Sequence, residues 1–199
     1  MNNSSMSIID SKILREKIKD NSIRIVDVRR EQDYQLGHIT NAVNLPLAKL
    51  LADDSVESIQ KIAQDLGISD ETSVVIYDDT FGALSSRVVW ALQYIGHKDA
   101  KLLDVTFSQW KALGYEISTE VPEIESATHS IKENKDIMAT AEYLEKVKEN
   151  KNVIIIDNRE RLNYLEQHIP GAINIPYRTL ATDGKILRTK EGMKNLLKN

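Results

Sequence analysis

The sequence predicts an α/β protein built from two related units, and three observations carry that prediction. Short apolar runs alternate with segments whose apolar residues fall at helical spacing, the grammar of parallel strands joined by helices. Asp27, Arg29, Tyr34, His38, Ile39, Ala42, Asn44 and Pro46 return as Asp157, Arg159, Tyr164, His168, Ile169, Ala172, Asn174 and Pro176, every pair 130 residues apart with no gap. That period is too long for a solenoid repeat and matches a domain, so it reads as a tandem duplication. Between the copies lies a stretch rich in Glu, Ser, Thr and Lys with neither strand nor helix period. The expected organisation is a first domain over 1–120, a linker over 121–136 and a second domain over 137–199.

Each element has a local reason. Ile23 to Val28 is a short apolar run ending in Asp-Val-Arg, as a buried parallel strand would, and Ala42 to Leu45 reads as a second strand stopped by Pro46. Ile59, Ile62, Ala63 and Leu66 define a helix face that Gly67 ends. Val74 to Tyr77 is the next strand. Ser85 to Tyr94 carries Val88, Val89, Ala91 and Leu92 at helical spacing and closes at Gly96, and Ala100 to Leu103 supplies another strand. In the second copy Ala139 to Val147 is an amphipathic helix, Val153 to Asp157 a strong strand, Ala172 to Ile175 a weaker one, and a polar helix begins near Lys190.

Composition removes several function classes. The chain has 199 residues, 41% hydrophobic and 28% charged, which supports packed cores and rules out overall disorder. A net charge of −4 with basic residues spread along the chain leaves no footprint for a phosphate backbone, so no nucleic-acid partner is expected. The N-terminus lacks a signal-peptide pattern and no apolar run approaches the ~18 residues of a membrane span, so the expectation is a soluble, cytoplasmic protein with no membrane partner. Gly82 stands outside any glycine-rich phosphate loop, and no cofactor is expected. His97 and His129 have no partner at metal-ligand spacing, so no metal site is expected and surface or capping roles suffice. Trp90 and Trp110 read as core or interface residues, and the charges from Glu142 to Lys151 as a solvated helix face. Cysteine is absent, which removes disulfides and every cysteine nucleophile.

The repeated element, Asp-x-Arg followed by His-Ile-x-x-Ala-x-Asn-x-Pro, resembles the rhodanese family of thiosulfate and 3-mercaptopyruvate sulfurtransferases. Gly37-His38-Ile39-Thr40-Asn41-Ala42-Val43-Asn44-Leu45-Pro46 and His168-Ile169-Pro170-Gly171-Ala172-Ile173-Asn174-Ile175-Pro176 look like the family's Gly-His-Ile-Pro-Gly-Ala-x-Asn-x-Pro stretch. Val74-Val75-Ile76-Tyr77-Asp78 looks like the strand entering its active-site loop, and Trp110-Lys111-Ala112-Leu113-Gly114-Tyr115 like the family's domain ending. The resemblance implies tandem rhodanese-like domains, each a parallel sheet flanked by helices. It also implies a cysteine that takes sulfane sulfur from a small anionic donor as a persulfide and passes it to a thiophilic acceptor.

Two departures shape the functional expectation. The first copy's loop, Asp78, Asp79, Thr80, Phe81 and Gly82 running toward Arg87, holds a carboxylate where the resemblance implies the thiol, so it is expected to be a degenerate active site with no catalytic residue. The repeat offset puts the second copy's loop near position 208, beyond Asn199, so the second domain is expected to be incomplete; Asn163 also replaces a second arginine that the resemblance implies, with Arg161 two residues earlier. Asp27, Arg29, His38, Asp157, Arg159 and His168 are expected to form structural polar networks rather than acid/base machinery. The resulting expectation is a sulfurtransferase-family protein active in its full-length form and inactive as this cysteine-free chain. The alternative is a non-catalytic rhodanese-like binding or regulatory module, and a phosphatase of the related cysteine-loop type would need the same absent thiol. A shortened second copy would expose the edge of Val153 to Ile156 to self-association.

Overall fold

The computed structural model describes residues 7–20, 23–182 and 184–198, which form two compact units, one ending at Lys135 and the other starting at Asp136. The first unit opens with strand β1 (Ser7–Ile9) and helix α1 (Ser11–Lys17), followed by β2 (Ile23–Asp27), α2 (Glu31–Gln35), β3 (His38–Ile39) and β4 (Ala42–Asn44). Helices α3 (Leu47–Ala52) and α4 (Val56–Asp65) lead to β5 (Ser73–Tyr77), α5 (Ser85–Tyr94), β6 (Ala100–Leu103), α6 (Phe107–Ala112) and β7 (Ile117–Ser118). The main sheet has the order β1-β6-β5-β2-β4, and every pairing in it is parallel. This is the α/β parallel-sheet architecture that the alternation of elements predicts.

A parallel sheet buries both faces, and the strands are apolar on both. Ile23, Ile25, Val75, Tyr77 and Leu103 face Leu14 of α1, Tyr34 of α2 and Trp110 of α6. Val26, on the opposite face, lines a packed interior with Leu50 of α3, Ile59 and Ile62 of α4, and Val88, Ala91 and Leu92 of α5. Fully burying each such aliphatic side chain contributes roughly 1.5–3 kcal/mol, so these two layers dominate the unit's stability. Helix α4 starts at Ser55, whose hydroxyl accepts from the Ser58 N–H at 3.3 Å, and stops at Gly67 with φ +67°. A Cβ on Gly67 would lie 2.9 Å from the Glu125 carbonyl, so glycine is required by close approach as well as by the turn.

The register places the C-terminal ends of three strands side by side. Asp27 pairs with Asn44 on β4 and with Tyr77 on β5, so the residues that follow these strands share one edge of the sheet. The carboxyl edge of a parallel sheet is where chemistry collects in such folds. The antiparallel pair β3–β7 then ties the turn after α2 to the chain beyond α6.

The second unit contains α7 (Ala141–Val147), β8 (Ile156–Asp157), α8 (Arg161–Glu166), β9 (Ile173–Asn174) and α9 (Lys190–Leu196). The apolar run Val153 to Asp157 predicts a five-residue strand, and only its last two residues pair, in parallel with β9. Among the described residues no strand flanks the other edge of β8, so nothing extends the ladder toward Val153. Ile154, Ile156, Ile169 and Ile173 are exposed, and among the described apolar residues of this unit only Ala172 and Ile186 are buried.

This contrast predicts unequal local stability. The backbone amides of Val74, Val75 and Ile76, in the sheet centre, should exchange hydrogen at least about a hundredfold more slowly than those of Ile173 and Ile175. Mass-spectrometric or NMR exchange at neutral pH reads this directly, and equal protection in the two sets would contradict it.

Candidate functional site

At the carboxyl edge of the first sheet a carboxylate is buried completely. Asp27 accepts from the Arg29 backbone N–H at 2.9 Å, from Arg29 Nε at 3.0 and 3.1 Å, from Arg29 Nη2 at 2.6 Å and from the Tyr77 hydroxyl at 2.6 Å. Arg29 Nη2 also donates to the Gly37 carbonyl at 2.7 Å, and its guanidinium lies 3.7 Å above the Phe107 ring centre. Burial lowers the Arg29 guanidinium, and the hydrogen bonds and charge of Asp27 more than reverse it, leaving Arg29 raised. Burial also pushes the Tyr77 phenol well above 10, helped by the Asp27 charge and hydrogen bond. Tyr77 thus stays protonated and donates to Asp27, while its oxygen accepts from the Ile39 N–H at 3.0 Å. Asn44 Nδ2 donates to the carbonyls of Asp27 and Arg29, and Tyr34 donates to the Ala42 carbonyl at 2.8 Å. His38 stacks on Tyr34 at 3.8 Å, with Nδ1 2.9 Å from the Tyr34 carbonyl and Nε2 3.0 Å from that of Glu120.

The repeat reproduces the Asp-Arg-Asn-Tyr part of this cluster in the second unit. Arg159 donates through its backbone N–H, Nε and Nη2 to Asp157 and through Nη2 to the Gln167 carbonyl at 2.6 Å; Asn174 bridges the carbonyls of Asp157 and Arg159. Tyr164 donates to Ala172, and His168 stacks on Tyr164 at 3.9 Å with Nδ1 2.7 Å from its carbonyl. The Arg159 hydrogen bonds hold Asp157 below the usual carboxylate range. The difference is solvent: the Arg29 side chain is 9% exposed and that of Arg159 53%.

Beyond Tyr77 the chain folds around its own carboxylate. Asp78 Oδ1 accepts from the Thr80 and Gly82 N–H groups and Oδ2 from those of Leu84 and Ser85, each at 2.9 Å, with the Ser85 hydroxyl adding a fifth donor at 3.0 Å. The donors converge because Phe81 and Gly82 turn left-handed, with φ +57° and +86°. A left-handed phenylalanine stores strain, and the carboxylate at the start of α5 offsets it through charge-assisted bonds to the helix N-terminus. Asp78 is buried, so the concave nest of N–H groups is filled by the chain's own anion. Asp79 accepts from the Ser108 N–H and hydroxyl at 2.9 and 2.6 Å and fastens the loop to α6.

Over this edge opens a groove of about 580 Å³ that Arg29, Arg30, Asp33, Asp79, Thr80 and Lys111 help to line. The structure thus brings Asp27, Arg29 and His38 together, and Asp78 to Gly82 beside them. Arg87 belongs to neither: it pairs with Asp54 at 3.0 Å and covers the Trp90 ring. Trp110 is fully buried and Trp90 half-buried, stacked on Tyr94. Sequence reasoning missed Tyr77, Phe107 and Ser85 as members of the site. The signal for Tyr77 was a tyrosine ending an otherwise aliphatic buried strand, where its hydroxyl needs a partner. The expectation of surface or capping roles for His97 and His129 is corrected, since both are buried against each other, from segments 32 residues apart that no local pattern links.

The two networks predict different mutational costs. Arg29→Ala leaves Asp27 buried and should cost about 3–5 kcal/mol in urea unfolding, whereas Arg159→Ala, exposed to water, should leave the midpoint nearly unchanged. Tyr77→Phe should cost about 1–3 kcal/mol at neutral pH. It should also reduce the alkaline loss of stability. The folded state keeps a proton that the unfolded chain releases above pH 10, so the Tyr77 contribution is complete below pH 10 and falls as pH rises past it. An unchanged alkaline limb in Tyr77→Phe would refute this.

Comparison with known proteins agrees with the geometry. A family model described as "Rhodanese-like domain" matches residues 10–113 and 140–198. The chain is 27% identical to the sulfur carrier protein TtuD of Thermus thermophilus, over 92% of this chain and 74% of that one. It is 22% identical to the thiosulfate sulfurtransferase of Rattus norvegicus, over 97% and 76% respectively. Its fold matches the 3-mercaptopyruvate sulfotransferase SseA from Escherichia coli with a TM-score of 0.85 at 21% identity, covering 96% of this chain and 82% of that one. With both copies of the repeat covered by the model and the fold matched along nearly its whole length, the chain belongs to the rhodanese family.

Proposed function

We propose that the protein serves sulfane-sulfur transfer from a small anionic donor, such as thiosulfate or 3-mercaptopyruvate, to a thiophilic acceptor, and that this cysteine-free chain of 199 residues does not itself perform the transfer. The observation that carries this reading is the nest filled by Asp78. In sulfur transfer a thiolate attacks the outer sulfur of thiosulfate, sulfite leaves with the bonding electron pair, and a persulfide anion remains. That anion needs converging N–H donors of the kind that surround Asp78. A carboxylate holds the place of the sulfur anion without its nucleophilicity, forms no stable persulfide and repels a dianionic donor. The first unit is then a non-catalytic rhodanese-like domain, and Asp78, Asp79, Thr80, Phe81 and Gly82 are its degenerate loop. The activity belongs to a form of the protein that carries a thiol.

The same geometry supports a second reading, a binding or regulatory module, because the groove beside Asp78 stays open although its nest is closed. The exposed isoleucines beside β8 support self-association through the second unit. No helix of the described residues is long and apolar enough to cross a membrane.

With thiosulfate and cyanide the chain should form no thiocyanate above a no-protein control; formation by a preparation verified as this chain alone would refute the reading. Asp78→Cys should then place a thiol among the four N–H donors. It should alkylate at least about tenfold faster at pH 7 than free cysteine, as a depressed thiol pKa requires, and should gain one sulfur atom on exposure to thiosulfate, read by intact mass. Ordinary alkylation with no sulfur gained would show that the nest is not a persulfide cradle.

A further inference from the structure

The segment that the sequence marks as a linker is fastened to the first unit. The Ala127 N–H donates to the Gln64 carbonyl at 3.0 Å, that of Lys132 to Ile95 at 2.9 Å and that of Asn134 to Tyr94 at 2.8 Å. The Ser130 N–H and hydroxyl both donate to Asp70, and Gln60 Nε2 donates to the His129 carbonyl at 2.6 Å. Gly96 admits this strap, since a Cβ there would sit 2.5 Å from the Lys132 carbonyl oxygen. The two Ser130 bonds to Asp70 lie at the surface. The one side chain the strap buries deeply is His129, 2% exposed, and it meets His97, 3% exposed, in the turn after α5.

The two imidazoles form a closed pair. His97 Nδ1 lies 3.2 Å from His129 Nε2, so one ring donates and the other accepts while at least one of these nitrogens keeps its lone pair. The outer nitrogens, His97 Nε2 and His129 Nδ1, are buried without a hydrogen-bond partner. Charged groups around the pair are few. The Asp70 carboxylate lies 3.7 Å from His129 Nδ1, beyond hydrogen-bond distance. Lys132, on the strap, acts on Asp70, and Asp99, paired with Lys101, lies on the His97 side. Burial and the facing His129 lower His97, outweighing Asp99 and the backbone of Thr72. Protonating both rings would set two cations nitrogen to nitrogen in a buried site.

We propose that His97 and His129 are a pH-sensitive clasp that holds the 121–134 strap on the first unit and releases it when the pair takes up its second proton. Release frees the chain ahead of Asp136. The sign follows from the lowered His97: docking is complete above the ordinary histidine value of 6.5 and is lost as pH falls through the lower value of the docked state. Asp70 stands apart from this window, because its Ser130 hydrogen bonds hold it below 3.8 and it is still ionised there.

Hydrogen exchange by mass spectrometry on the whole chain tests the clasp at about pH 7.5 and about pH 5, with rates normalised to intrinsic exchange. The peptide spanning 124–134 should lose at least about tenfold in protection at the lower pH, while the peptide spanning 73–77 keeps its own. His129→Phe fills the space with an uncharged ring and should retain protection at both values, and His97→Asn should flatten the dependence from the other side. The proposal fails if the parent strap is equally protected at both values, if both variants show the parent's acid loss, or if the 73–77 peptide loosens in parallel, since that loss would be global.

Discussion

The carboxyl edge of the first unit's sheet is organised around the Asp27 carboxylate, which is buried and paired by the chain itself. A buried carboxylate costs several kcal/mol to desolvate, and only a complete set of donors offsets that cost. Arg29, two residues on, supplies three, and Tyr77, 50 residues on, a fourth. Because Asp27 ends β2 and Tyr77 ends β5, satisfying the charge locks the register of the two central strands. Because Arg29 also binds the Gly37 carbonyl and Tyr77 the Ile39 N–H, the same charge fixes the turn from α2 into β3.

The second unit shows what this pairing does and does not supply. Asp157 and Arg159 reproduce the bonds to within tenths of an ångström, so the local sequence suffices to build the motif. It does not suffice to bury it, because no counterpart of Tyr77 or Phe107 covers the pair among the described residues. The bonds then compete with water, and an exposed ion pair adds little to stability. Geometry and energy separate here: the same hydrogen bonds anchor a core in one copy and decorate a surface in the other.

The Asp78 loop uses the same rule on a smaller scale. Converging N–H groups at the start of a helix demand an anion, and the chain supplies one from its own side chain. That choice stabilises a strained loop. The strap over α4 and α5 reverses the logic, burying two groups that stay docked only while they are not both charged. One fold thus contains buried carboxylates with full sets of donors and a buried histidine pair whose outer nitrogens have no hydrogen-bond partner.

Much of this was readable in the sequence because it is local. The period of Ile59, Ile62 and Ala63, the stop at Gly67 and the aliphatic run before Asp78 depend on neighbours a few residues away, and the repeat exposed the Asp-x-Arg motif because duplication wrote it twice. Tertiary structure alone decided which charges are buried, since burial is set by elements distant in sequence. It brought Tyr77 to Asp27 from 50 residues away and His97 to His129 from 32 residues away, pairings that no periodicity encodes. It also held the strand expected from Val153 to Asp157 to two residues, because a strand is a property of a pair, and the length of β8 is set by its neighbours rather than by its own side chains.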